Sequence, residues 1–187
     1  TVSAIAMQTL GRGPAAEITR PFIDRLQALS KTHDLMTRHE WLGADLHEIV
    51  EAELQPYQDE AGTRWRCGGP SVTLPAKAAV ALAMAFHELA TNAAKYGAFS
   101  MPSGRLAIDW HVAARGGDRR LRVIWTESGG PPVAPPVKPT GQRGFGTRLI
   151  ADGLAHQLDG EVGLDFDPTG LRCVIDIPLP EVRHDVL

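Results

Sequence analysis

A chain of 187 residues with 43% apolar side chains is long enough to bury a core, and its length suits one domain or a domain with an appendage. Its net charge of −3 excludes a broad basic surface for nucleic acid or anionic lipid. No apolar run is long enough to span a bilayer, no signal peptide is visible, and Cys67 and Cys173 match no metal spacing and suit a reducing compartment.

The first third reads as helical. Val2, Ile5, Ala6 and Thr9 share a face, and Gly11 and Gly13 end that segment. Thr1 already falls in mid-helix, so the chain reads as part of a longer protein. Over residues 14–38, Ile18, Phe22, Leu26, Leu29, His33 and Met36 recur at three- or four-residue steps, broken only near the start by Pro21. Two antiparallel helices joined by a short Gly/Pro turn are expected. His33 falls on the apolar stripe and reads as a packed histidine; His39, beside Trp41, gains no chemistry from its neighbours.

Asp45 and Glu48 open the next helix as a capping box, with Asp45 expected to accept from the third amide and Glu48 to reach back. Leu46, Ile49, Val50 and Leu54 form its buried stripe, and Pro56 stops it. Residues 65–67 and 71–74 read as short strands around Gly68-Gly69-Pro70.

An alanine-rich run without Gly or Pro then predicts one long helix, with Pro75 at its first turn and Gly97 at its stop. Val80, Met84 and Leu89 can face a core. Glu88, Asn92 and Lys95 lie at i, i+4 and i+7, on one stripe. A carboxylate, an amide oxygen and an ammonium so placed can serve Mg²⁺ and phosphate together, because Mg²⁺ takes oxygen ligands and shares them with nucleotide phosphates. The same spacing also suits a plain solvated face.

After Gly97 the period changes to two. Residues 105–112 alternate, Gly116-Gly117 turns the chain, and residues 121–127 answer as the second strand of a hairpin. The Gly- and Pro-rich stretch over residues 129–144 is too long for an ordinary connection and reads as a moving lid or a plain disordered loop. A helix over residues 147–158 follows, with Leu149, Ile150, Leu154 and Leu158 inward. Strands at 161–165 and 171–177, joined by a turn at 167–170, end the pattern.

Four blocks, in order, resemble the ATP-binding domain of sensor histidine kinases of the HWE subfamily. Residues 87–97 (His-Glu-Leu-Ala-Thr-Asn-Ala-Ala-Lys-Tyr-Gly) resemble its N box; Trp125-Thr126-Glu127 its tryptophan–x–glutamate signature; Glu127-Ser128-Gly129-Gly130 its first glycine box; and residues 144–149 its second. Residues 1–10 resemble the end of its dimerisation and phosphotransfer region. The resemblance implies a Bergerat-type, GHKL ATPase-like α/β sandwich with a mixed sheet, preceded by an N-terminal α-helical hairpin. Residues 1–42 would be partial dimerisation and phosphotransfer helices, and residues 43–187 the catalytic ATP-binding domain.

The resemblance further implies a cytoplasmic, bacterial two-component kinase that moves the γ-phosphoryl group of ATP to a histidine, here upstream of Thr1, and then to an aspartate of a response-regulator receiver domain. Asn92 would bind Mg²⁺, and Glu88 would hold a metal water or polarise the acceptor histidine. Lys95 would lie against phosphate and Tyr96 against the nucleotide. Glu127 would accept from the adenine amino group, a role Asp usually fills, with Gly129 letting the backbone approach the base. Gly144, Phe145, Gly146 and Thr147 would meet the phosphates. His87 stands beside Glu88 as a catalytic candidate, with packing between helix and sheet as its alternative role and that of Trp125. Implied partners are an upstream sensor domain and a second copy joined through the N-terminal helices. The fragment would hold no membrane segment and bind no nucleic acid. Two rivals stay open: a degenerate phosphotransfer or scaffold protein that binds no ATP, and an ATPase of the same fold.

Overall fold

The structure, a computed structural model, describes Ser30 and residues 43–115, 117–132 and 158–179. The expected helical hairpin and domain boundary at residue 42 lie outside the described residues. So do most of the lid stretch, the second glycine box with Gly144, Phe145, Gly146 and Thr147, and the helix over 147–158 apart from its last residue.

Strand β1 (Ala44–Asp45) leads straight into helix α1 (Leu46–Leu54). Asp45 caps that helix, but its carboxylate accepts from the amide of His47 at 2.8 Å, one residue earlier than the capping box predicts. Ser71 donates to its other oxygen at 2.7 Å. Burial works to raise the Asp45 pKa, yet these bonds and the neighbouring His47 outweigh it and hold the carboxyl below its usual range. Leu46, Ile49, Val50 and Leu54 are buried as expected, and a 3₁₀ turn carrying Pro56 ends the helix.

Strand β2 (Trp65–Gly68) and β3 (Thr73–Leu74) flank the Gly-Gly-Pro turn, but they join different sheets: β3 pairs with β1, while β2 runs parallel to residues 106–109. Helix α2 (Ala76–Lys95) follows, about 30 Å long at 1.5 Å per residue. Pro75 sits one position before its first turn, as the cap. Of the three side chains expected to face a core, Leu89 is buried and Val80 and Met84 are half-buried. The deepest side chains are instead Leu82, Phe86 and Leu89, with Ala79, Ala83, Ala90 and Ala93. Leu82, Phe86 and Leu89 lie at i, i+4 and i+7 and set the buried meridian, with the alanines filling in around them. The small side chains of α2 pack into one apolar core shared with α1 and the sheet.

Strand β4 (Arg105–Arg115) and β5 (Asp118–Ser128) form the predicted hairpin, and β6 (Glu161–Asp167) and β7 (Gly170–Pro178) form the second. The five-stranded sheet has the order β2-β4-β5-β7-β6, with only the β2–β4 pair parallel. Alternation sends Leu106, Ile108, Trp110, Leu121, Val123, Trp125, Cys173, Ile175 and Ile177 into the core. On the opposite face Arg120 binds Asp176, with Arg122 at 3.8 Å. The result is the α/β sandwich with a mixed sheet that the motifs imply. No helix among the described residues is long and apolar enough to cross a membrane.

Candidate functional site

The C-terminal half of α2 carries most of the predicted site, and its stripe emerges from the core as it goes. Glu88 is 7% exposed, Asn92 is half-buried and Lys95 is exposed. At its end the Tyr96 amide makes the last helical bond, to the Asn92 carbonyl at 2.8 Å, and the Gly97 amide is shared between the carbonyls of Ala93 and Asn92 at 3.1 and 3.2 Å. Tyr96 stands 74% exposed at this end.

Gly97 and Ala98 make a corner against the end of β5. Glu127, only 5% exposed, takes the Ala98 amide on Oε2 at 2.8 Å and the Trp125 indole N–H on Oε1 at 3.0 Å. A β-carbon on Gly97 would fall 2.0 Å from Glu127 Oε2, so only glycine fits. Burial pushes the Glu127 carboxyl above its ordinary value of 4.5, and the N–H groups of Ala98 and Trp125 draw it part of the way back.

The segment after β5 closes over the same corner. Gly129 has φ +67°, and a side chain there would meet the carbonyl of Ser103 at 2.6 Å. Ser103 Oγ donates to the Gly129 carbonyl at 3.0 Å, and Gly130 lies against Gly97 and Ala98. Beneath, Phe99 stacks on Tyr57 with ring centroids 5.2 Å apart, and the Arg64 guanidinium lies 5.3 Å from its centroid. Arg64 also donates to the carbonyls of Phe99 and Met101, at 3.0 and 2.8 Å. Sequence reasoning missed this brace, and nothing in the pattern around Arg64 or Tyr57 marks it.

His87 points elsewhere. Its Nδ1 lies 3.0 Å from Oε2 of Glu53, a carboxylate 3% exposed on α1. A carboxylate accepts, so the imidazole N–H donates across the α1–α2 interface. Thr91 Oγ1 returns to the His87 carbonyl at 2.8 Å. Thus Asn92, Lys95, Tyr96, Glu127 and Gly129 gather at one end of α2, Glu88 lies one turn back, and His87 is committed to α1. Cys173 is no nucleophile: burial pushes its thiol up to about 12.

Among the described residues no three His, Cys, Asp or Glu side chains gather to hold a metal. Half-buried Asn92 carries an amide oxygen one turn from Glu88, a donor type that fits a hard cation taking its remaining ligands from phosphate and water.

A family model for HWE histidine kinases matches residues 1–71. The blue-light-activated histidine kinase of Brucella anthropi is 38% identical over 180 residues, 96% of this chain and 35% of that protein. The Brucella ovis protein of the same name is 37% identical over 183 residues, 97% of this chain and 37% of that protein. This chain therefore spans little more than a third of the length of these relatives.

In fold it is similar to the histidine kinase domain of the Erythrobacter litoralis blue-light activated histidine kinase. The TM-score is 0.62 at 22% identity, over 83% of this chain and 73% of that one. It is similar too to the Acinetobacter baumannii histidine kinase AdeS, with a TM-score of 0.52 at 15% identity, over 89% and 81%. These likenesses bear on the fold alone, which is that of a histidine kinase domain. With residues 1–71 matched by the family model and nearly all of its length aligned to kinases of one kind, the chain is similar to the HWE histidine kinases.

Proposed function

We propose that residues 43–187 are the catalytic domain of a two-component sensor kinase, with residues 1–42 part of its dimerisation and phosphotransfer helices. The domain binds ATP with Mg²⁺ and transfers the γ-phosphoryl group to a histidine, for relay to an aspartate on a response-regulator receiver domain. The observation that carries this reading is the corner at the end of α2. There a buried carboxylate, Glu127, meets a glycine-lined turn and a helix stripe of carboxylate, amide and ammonium.

Asn92 supplies an oxygen to the metal, and Glu88 holds a metal water or polarises the acceptor histidine. Lys95 balances phosphate charge, and exposed Tyr96 packs against the nucleotide. Glu127 accepts from the adenine amino group through the lone pairs that Trp125 and Ala98 leave free, while Gly129 admits the base to the backbone. Gly144, Phe145, Gly146 and Thr147 meet the phosphates. The bond from His87 to Glu53 supports a role in holding α2 against α1 rather than contact with substrate. Bound Mg²⁺ would screen the β- and γ-phosphate charge; the rest of the work is positioning by these side chains.

Calorimetric titration with ATP, with and without Mg²⁺, tests the reading. The chain should bind Mg²⁺·ATP, and Asn92→Ala should abolish the metal-dependent part, because an octahedral ion tolerates few lost ligands. Unchanged Mg²⁺·ATP affinity in Asn92→Ala would remove that residue from the site.

A further inference from the structure

Trp125 and Glu127 are two apart on β5, so both side chains point inward. The indole is fully buried, and a buried N–H needs an acceptor. It finds Glu127 Oε1 at 3.0 Å, while the Ala98 amide takes Oε2 at 2.8 Å from the other side. One donor on each oxygen stops the carboxylate from turning about its last bond. Gly97, packed against Oε2, blocks a swing of the whole arm toward α2. Each oxygen keeps a second lone pair in a fixed direction.

We propose that Trp125 is a positioning residue for adenine recognition: its indole N–H locks the Glu127 carboxylate in the plane that receives the exocyclic amino group of the base. The assignment rests on the reading of Glu127 as the adenine acceptor. Phenylalanine at position 125 would fill much of the same core space and offer no N–H. The carboxylate would then keep one anchor of two and lose its set direction, while the phosphate end of the site stays as it was.

The experiment compares affinity for Mg²⁺·ATP with affinity for purine riboside triphosphate, which lacks the 6-amino group, in the full chain. The native chain should prefer ATP. Trp125→Phe should lose about tenfold of that preference, the size of one buried hydrogen bond, with little change toward the amino-free nucleotide. Glu127→Ala sets the floor. Equal weakening of both nucleotides by Trp125→Phe would make the indole a core residue only and overturn the proposal. A native chain that does not distinguish the nucleotides would sink the adenine reading of Glu127 itself, and this assignment with it. Should Trp125→Phe fail to fold, the indole N–H resonance of Trp125 in the unliganded native chain decides. It should move as the Glu127 carboxyl titrates and shift in Glu127→Gln. A resonance indifferent to both would overturn the proposal.

Discussion

Glu127 is costly to bury and is kept usable by two donors. Its folded pKa lies above the unfolded one, so the native state binds the proton more tightly. As pH rises from below 4.5 through the folded value, the native chain therefore loses stability through this group, and above that value the loss is complete. Glu127→Gln has no proton to lose. Denaturant unfolding over an acid-to-neutral pH series should show the variant gaining on the native chain across that window. A constant difference would mean the burial cost is already offset. Gly97 makes the complementary case. An added methyl 2.0 Å from Oε2 and 3.0 Å from the Ala93 Cα must displace something, and overpacking of this kind costs about 1–3 kcal/mol. Gly97→Ala should lower the urea midpoint accordingly, and less so in a Glu127→Ala background, where the closer obstacle is gone.

Within the contact between α1 and α2, whose core is apolar, His87 meets Glu53. Removing the imidazole leaves a buried carboxylate without this donor, at about 1–3 kcal/mol. A double-mutant cycle between His87→Ala and Glu53→Ala should return a coupling of about 0.5–3 kcal/mol, and zero coupling would reduce the pair to proximity. This partnership was not legible beforehand: Glu53 reads as an ordinary helix glutamate, and its partner lies 34 residues on, past two strands. The elements themselves were easier to read. Pro75 and Gly97 bracket α2, and period-two alternation marks β4, β5, β6 and β7 to within three residues at each end. Trp125 and Glu127 were legible as neighbours from their spacing on a strand. What they do for each other depends on Ala98, which only the packed corner brings near. The Asp45 cap fell one amide from its expected partner, because a side chain this short reaches the second amide as readily as the third.

The whole sheet joins two local hairpins, β4–β5 and β6–β7, along the β5–β7 ladder. Neither hairpin pattern hints at β2, because a parallel strand pairs across everything between it and its partner; here Trp65 meets Leu106 only after all of α2 has been laid down. That arrangement has a kinetic consequence. Hairpins close short loops and form early, whereas the β2–β4 and β5–β7 ladders close long ones and form late. Arg64, just before β2, bonds the turn at Phe99 and Met101, so the floor beneath the Gly97–Ala98 corner arrives with the β2–β4 ladder. In pulse-labelled hydrogen exchange during refolding, the amides bonded within the β4–β5 and β6–β7 hairpins should be protected before that of Leu106, whose bond to the Arg64 carbonyl at 3.0 Å reports the arrival of β2. Simultaneous protection would sink the ordering. If the order holds, nucleotide present during refolding finds nothing to grip until the end. It would leave the early phases untouched and slow only the first step of unfolding, the release of β2.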